Sequence, residues 1–305
     1  MINSSRFNRK INVEEKWLEN SFNNCPFCDS INIKKIGLIQ KNPKVYFCEC
    51  ADCNIGFADR QPSEEFLVEY YHNYYSGQVR STTIIPEPLA KHLYKILSPI
   101  SIRQKFSILD FGGGDGSVSL ILGNILLKEG ISMNVEIVLI DLFPHPLENE
   151  NENINLAQYS SIDKISENKK FDIIIASAIL EHVKFPKETL QKLLLLLKTK
   201  GNIYSRTPYI LPFFKLLKKA GISVDTHYPG HLFDMGNLFW KNSLHTMNCY
   251  DNYLIRRSQT SFAENSFKEG ILKAVVTRIF KIPSRFLKYK YHLVGGWEVL
   301  IEKRL

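Results

Sequence analysis

Four cysteines stand in two pairs, Cys25-Pro26-Phe27-Cys28 and Cys50-Ala51-Asp52-Cys53, with 21 residues between them. A two-residue gap lets each pair bend until both thiolates meet one ion at a tetrahedral angle. Two such pairs close a structural Zn2+ site with no position left open for chemistry. Cys25, Cys28, Cys50 and Cys53 are therefore the candidate ligands. Cys48 keeps an alternative open, because Cys48-x-Cys50 could also supply a ligand. The run Tyr46-Phe47 leading into it reads as a strand, which makes Cys48 a strand residue. The plainer reading is a set of small buried cysteines without metal. Without zinc, a unit this small buries little apolar surface and is not expected to fold alone.

A second group of residues suits a nucleotide-like ligand. The short apolar strand Phe106-Ser107-Ile108-Leu109-Asp110 runs into Phe111-Gly112-Gly113-Gly114-Asp115-Gly116, and a helical pattern follows from Val118 to Leu127. Glycine permits a tight strand-to-helix turn, and its missing side chain lets a ligand lie against the backbone. The helix start beyond it offers unpaired N–H groups. A dinucleotide fingerprint is the rival reading, but it wants a glycine where Ser117 and Val118 stand. The next apolar strand, Val135 to Ile140, ends in Asp141, whose carboxylate could accept both hydroxyls of a ribose.

Elements must position these groups, and strands alternate with helices from 105 to 210. That alternation implies a parallel sheet with helices on both faces. Phe171–Ser177 reads as a further strand, Lys187–Lys198 as a helix, Lys200-Gly201 as a turn and Asn202–Tyr209 as another strand. Such sheets bind ligands at the carboxyl ends of the strands, where strand order reverses. Gly112, Asp141 and Ser177 sit at such ends.

The chain has 305 residues, 44% of them hydrophobic and 12% aromatic, enough for a substantial core and against wholesale disorder. The length suits one large domain with a small appendage. No apolar run approaches the roughly 18 residues that span a bilayer, and the polar start lacks the pattern of a secretory signal. With four thiols assigned to a metal and none to a disulfide, the expected location is cytoplasmic. The formal charge is +8. Nine Lys/Arg against four Glu fall between Glu264 and Leu305, whereas residues 1–60 carry nine basic and seven acidic groups. Ile271, Leu272, Val275, Val276, Ile279 and Phe280 repeat at helical spacing within the basic stretch. That pattern fits weak membrane-surface contact through 271–290, or an ordinary amphipathic helix packed on the sheet.

The arrangement Asp110-x-Gly112-x-Gly114-x-Gly116, Asp141 after the second strand, and Leu180-Glu181-His182 after the fourth resembles a class I S-adenosylmethionine-dependent methyltransferase. Upstream, the two cysteine pairs, Gln61-Pro62-Ser63-Glu64-Glu65 and the Tyr-rich stretch Tyr70-Tyr71-His72-Asn73-Tyr74-Tyr75 resemble the front end of a bacterial branch with an N-terminal zinc knuckle. In that branch the second knuckle commonly ends Cys-Gly; here Asn54 takes the glycine place, as a residue tolerant of left-handed backbone can. The resemblance implies a Rossmann-like, doubly wound, mostly parallel seven-stranded α/β sheet. Tyr253–Thr260 and Trp297–Lys303 would form its antiparallel C-terminal edge, and a small zinc-ribbon module would precede it. The expected division is a four-cysteine zinc-ribbon module over 20–60, a Tyr-rich helical connector or lid over 61–104 and the methyltransferase domain over 105–305.

The cofactors so implied are S-adenosylmethionine and structural Zn2+. Asp110, Gly112, Gly114, Gly116, Asp141 and Ser177 would hold the former, with one lid tyrosine, Tyr75, near its methionine end. Tyr70, Tyr71, Tyr74 and Tyr75 share a helical face, so packing explains them equally well. Methyl transfer to a hydroxyl needs a base. His182, His227 and His231 are the candidates, His231-Leu232 matching a recurrent element near the family's active site. Each has the plainer reading of a hydrogen-bonded residue shaping the pocket. The expected acceptor is a small molecule or glycan, methylated on oxygen. An RNA methyltransferase is the alternative, but the zinc module is barely basic, and no Asn-Pro-Pro-Tyr stands after the fourth strand.

Overall fold

The computed structural model describes residues 11–75, 86–142, 149–221, 225–261 and 293–304, together with position 283. The amphipathic segment at 271–290, read above as a membrane-surface or packing helix, lies outside them save for that position.

Three strands open the chain: β1 (Ile33–Gln40), β2 (Val45–Cys50) and β3 (Gly56–Ala58). Helices α1 (Glu64–Tyr75) and α2 (Pro86–Leu97) follow. The large sheet is then built by β4 (Arg103–Phe111), α3 (Ser117–Lys128), β5 (Ser132–Ile140), β6 (Ile154–Tyr159), β7 (Phe171–Ser177), α4 (Pro186–Leu195) and β8 (Leu197–Tyr209). After α5 (Leu211–Lys219) come β9 (Phe233–Asp234), α6 (Asn237–Thr246), β10 (Tyr253–Thr260) and β11 (Gly295–Lys303).

The seven-stranded order is β10-β11-β8-β7-β4-β5-β6. All pairs from β8 to β6 are parallel, and β11 runs antiparallel to both of its neighbours. Strand order reverses between β4 and β7, so the crevice for a ligand opens above their carboxyl ends.

The central strands are apolar throughout because both faces are covered. Ile108, Ile137, Ile173 and Ile175 point to the face carrying α2 and α3, where Leu89, Leu93, Leu122 and Leu126 meet them. Their alternates Leu109, Val138, Ile174 and Ala176 point to the other face. There they share one core with Leu190 and Leu193 of α4, Phe239 and Trp240 of α6, and the cysteine-bearing segment. Phe27, between the first two cysteines, meets Phe239 edge-on at 4.8 Å.

One local expectation fails. Lys200-Gly201 does not end an element but lies inside β8, which pairs with β7 at Leu197 and again from Asn202. Lys200 takes a φ of 61°, and the extra residues bulge out of the ladder there. A Cβ on Gly201 would stand 2.8 Å from the carbonyl oxygens of Lys198 and Phe171, so the bulge tolerates only glycine. No described helix is long and apolar enough to cross a membrane.

Candidate active site

The strand-end residues named from the sequence converge on the crevice between β4 and β7. Gly112 (φ 69°) carries the chain out of β4 so closely beneath the loop after β7 that a Cβ would stand 2.4 Å from Ile179. A Cβ on Gly113 would meet the Asp110 carboxyl at the same distance. Gly116, also left-handed, caps α3. Asp141 accepts the Gly114 N–H at 2.9 Å, so the second strand holds the glycine turn of the first. Among the described residues, Asp110 Oδ2 and Ser177 Oγ are buried with no hydrogen-bond partner. A backbone cradle that side chains would fill, bordered by unsatisfied acceptors and by Asp141, fits a nucleoside carrying a cationic amino-acid tail.

Burial, reinforced by the Asp141 and Asp115 charges and partly offset by Ser119, pushes the Asp110 carboxyl up to about 6 from its ordinary 3.8. Below about pH 4 it is protonated in folded and unfolded chains alike. As pH rises through about 6 the unfolded chain ionises first, and stability is lost, on the order of 3 kcal/mol by pH 8. Asp110→Asn should therefore unfold at higher urea than the wild type at pH 8 and at nearly the same urea at pH 4, both without cofactor. Equal midpoints at both pH values would mean that the carboxylate is fully compensated where it stands.

Beside the cradle, the structure gathers all three candidate histidines. The His182 and His231 rings meet edge-on at 4.8 Å, and His227 lies 5.2 Å from His231. The turn carrying the last two is tied to the loop after β7, since Leu232 and Phe233 N–H both donate to the Glu181 carbonyl. The Gly230 carbonyl accepts hydrogen bonds from His182 Nδ1 at 2.8 Å and from the Tyr71 hydroxyl at 3.0 Å. A carbonyl can only accept, so His182 carries its proton on Nδ1 and keeps the Nε2 lone pair. Burial lowers His182, and burial together with the neighbouring rings lowers His231. Glu181 is pushed up to about 8 by burial, with Arg206 opposing only in part. His231 Nδ1 and Glu181 Oε2 have no partner among the described residues. His227 is exposed.

The four paired cysteines also meet. Cys25 Sγ lies 3.6 Å from Cys53 Sγ, and Cys28 Sγ lies 3.5 Å from Cys50 Sγ. These separations are far beyond a disulfide and close to the edge of about 3.8 Å expected of a tetrahedron with metal–sulfur bonds of about 2.3 Å. The knuckles match each other. Asp29 and Asn54, each one residue past its pair, take φ of 61° and 62° and donate N–H to the carbonyls of Cys25 and Cys50. As free thiols they resist sharing charge: burial lifts Cys28 to about 12, whereas hydrogen bonding to Cys53 holds Cys25 at about 6. A dication removes that conflict. Cys48 stays outside the cluster, buried in β2 with burial raising its thiol to about 12, and so does Cys249.

Two participants escaped the sequence reading. Tyr71 reaches the histidines, its hydroxyl 3.0 Å from His182 Nδ1; the side chains of Tyr74 and of Tyr75, the tyrosine expected near the methionine end of the cofactor, lie outside the described residues. The available signal was Leu67, buried one helical turn earlier on the same face. The second is β9, which joins the cysteine-bearing sheet as its fourth strand in the order β1-β2-β3-β9. Two residues give no periodicity by which to recognise a strand.

The family model described as "Methyltransferase domain" matches residues 83–244. Among solved structures the chain is similar to the plantazolicin methyltransferase BpumL in complex with SAH, at 16% identity over 79% of this chain and 90% of that one, TM-score 0.43. It is also similar to the N-methyltransferase NodS from Bradyrhizobium japonicum with S-adenosyl-L-homocysteine, at 8% identity over 78% and 98%, TM-score 0.42. A third is coclaurine N-methyltransferase bound to N-methylheliamine and SAH, at 13% identity over 72% of each chain, TM-score 0.44. No curated protein matches the sequence.

Proposed function

The chain belongs to the methyltransferase-domain family and is a class I S-adenosylmethionine-dependent methyltransferase, and from that premise we propose that it methylates a hydroxyl of a small molecule or glycan. The observation that carries the acceptor assignment is the grouping of His182, His227 and His231 beside the crevice. An amine acceptor arrives with its own lone pair once neutral, whereas a hydroxyl must shed a proton during attack.

S-adenosylmethionine supplies an activated methyl group on sulfur. The glycine turn and Asp110 would seat its amino-acid end, Asp141 its ribose, and Ser177 would face the crevice from β7. The histidine cluster would orient the acceptor oxygen and take up its proton, with exposed His227 as the exit to water. The acceptor lone pair forms the new C–O bond, the S–CH3 bond breaks, and its electrons stay on sulfur. The four-cysteine module at 20–60, with Zn2+, and the helical connector at 61–104 frame the domain at 105–305. The near balance of charge in residues 1–60 offers no grip on RNA.

Methyl-labelled cofactor offered with panels of sugars, sugar nucleotides, phenols and amines tests the reading. Label on oxygen supports it; label on nitrogen or carbon alone overturns it. With an acceptor in hand, His231→Ala should cut kcat by roughly a hundred- to ten-thousandfold. Calorimetry should show cofactor affinity nearly unchanged. A variant turning over at the wild-type rate would make the ring a packing residue.

A further inference from the structure

Glu181, His182 and His231 each offer a ligand atom, and these atoms all lie within 4.8 Å of one another. They come from two loops that the Glu181 carbonyl ties together, so the grouping is built into the fold. His182 Nε2 stands 3.9 Å from Glu181 Oε1. Its other nitrogen is committed to the Gly230 carbonyl, an accepting group of the kind that orients a metal-binding imidazole and fixes its tautomer. Tyr71 braces the same carbonyl. Two further polar atoms, Glu181 Oε2 and His231 Nδ1, are buried without a partner among the described residues. The Glu181 residue is only 2% exposed. Two imidazoles and a carboxyl group converging on one space, with buried polar atoms left unpartnered, are what a cation site looks like before the cation arrives.

We propose that Glu181, His182 and His231 bind a divalent first-row transition metal, distinct from the zinc of the four cysteines, that ligates the acceptor oxygen. Two imidazoles and one carboxylate suit manganese, iron or zinc and leave coordination positions open. The inference rests on the reading of this pocket as the acceptor side and deepens it. The ion would polarise the bound hydroxyl, whose proton passes to water by way of His227, and the oxygen would attack the methyl carbon as the S–CH3 bond breaks and its electrons stay on sulfur. It also explains why so many imidazoles are needed: two hold the ion and the exposed third carries the proton away. Acceptors presenting a second oxygen beside the first, as vicinal diols do, could chelate the ion and are favoured.

Mn2+ is the probe, because it avoids thiolates and so ignores the cysteine cluster. Zinc-loaded full-length protein titrated with Mn2+ and followed by electron paramagnetic resonance should bind one equivalent. Pulsed measurements on that species should show coupling to imidazole nitrogen. Glu181→Gln and His231→Gln, which keep the side-chain volume or nearly so, should each weaken binding tenfold or more. Absence of bound Mn2+ on the wild-type protein at millimolar metal overturns the proposal, whether or not the variants fold. So does binding that survives in both folded variants, which would place the ion elsewhere. O-methylation that depends on His231 while wild-type protein takes up no Mn2+ would sink the metal alone and leave the hydroxyl reading standing.

Discussion

Stripping the Zn2+ proposed for the four-cysteine cluster, or replacing Cys50 by serine, should lower turnover a hundredfold or more while S-adenosylmethionine affinity stays within about threefold. The reason is one strand pairing. Cys50 closes β2 and Cys53 leads into β3, and β3 pairs with β9 through Gly56 with Asp234 and Phe57 with Phe233. His231 stands two residues before β9, and the Leu232 carbonyl accepts the Ala58 N–H at 3.1 Å. The cysteine cluster thus holds the edge from which the histidine turn hangs. The proposed cradle for the cofactor depends on other contacts: the Asp141–Gly114 hydrogen bond, the β4–β5 ladder and the core under α3. Loss of the proposed ion would release the knuckles, fray β3 and let His231 drift. A displacement of about 1 Å at a reacting group can cost about a hundredfold in rate. Calorimetry with S-adenosylhomocysteine and single-turnover rates on chelator-treated protein separate the two effects. Full turnover without zinc would make the module a bystander, and an equal loss of cofactor binding would mean that it supports the whole domain.

Asp141→Ala should weaken S-adenosylmethionine binding by a hundred- to a thousandfold, the largest effect expected of any change in the cradle. In the proposed role, a carboxylate hydrogen-bonded to two ribose hydroxyls would contribute roughly 3–4 kcal/mol, and alanine would remove both bonds. It also removes the acceptor of the Gly114 N–H, so the glycine turn loses its tie to β5. Asp141→Asn keeps a neutral acceptor for that N–H and should fall between the two. Equilibrium dialysis with labelled cofactor checks the series. Wild-type affinity in the alanine variant would move the ribose to another residue.

How much of this was legible in the chain varies with the distance over which each interaction acts. The glycine turn is a local affair: Gly112, Gly114 and Gly116 all take the positive φ that their spacing suggested, and Asp110 and Asp141 stand within one residue of their strands' carboxyl ends. The two C-x2-C pairs are just as local, down to the left-handed backbone at Asn54. Lys200-Gly201 misled because a residue with positive φ followed by glycine serves a bulge as readily as a turn, and only the neighbour β7 decides which. Tyr71 was one of several tyrosines on a helical face, and nothing within α1 singles it out. Its partners, His182 and Gly230, lie 111 and 159 residues further along.

By itself the sequence determined the parts whose physics is short-range: apolar runs that must be buried on both faces, glycines that let the chain turn under a ligand, and thiols spaced to meet one ion. Those were enough for the doubly wound sheet and for the expectation of a methyl donor at the ends of its strands. The tertiary structure alone decided which buried polar atoms share a space. Glu181, His182, His231 and Tyr71 become one cluster because the 227–232 turn is tied to the loop after β7 and, through β9, to the cysteine-bearing sheet. That closure depends on the packing of segments far apart in the chain, whose contact free energies exist only once the core has formed, so no spacing rule records it.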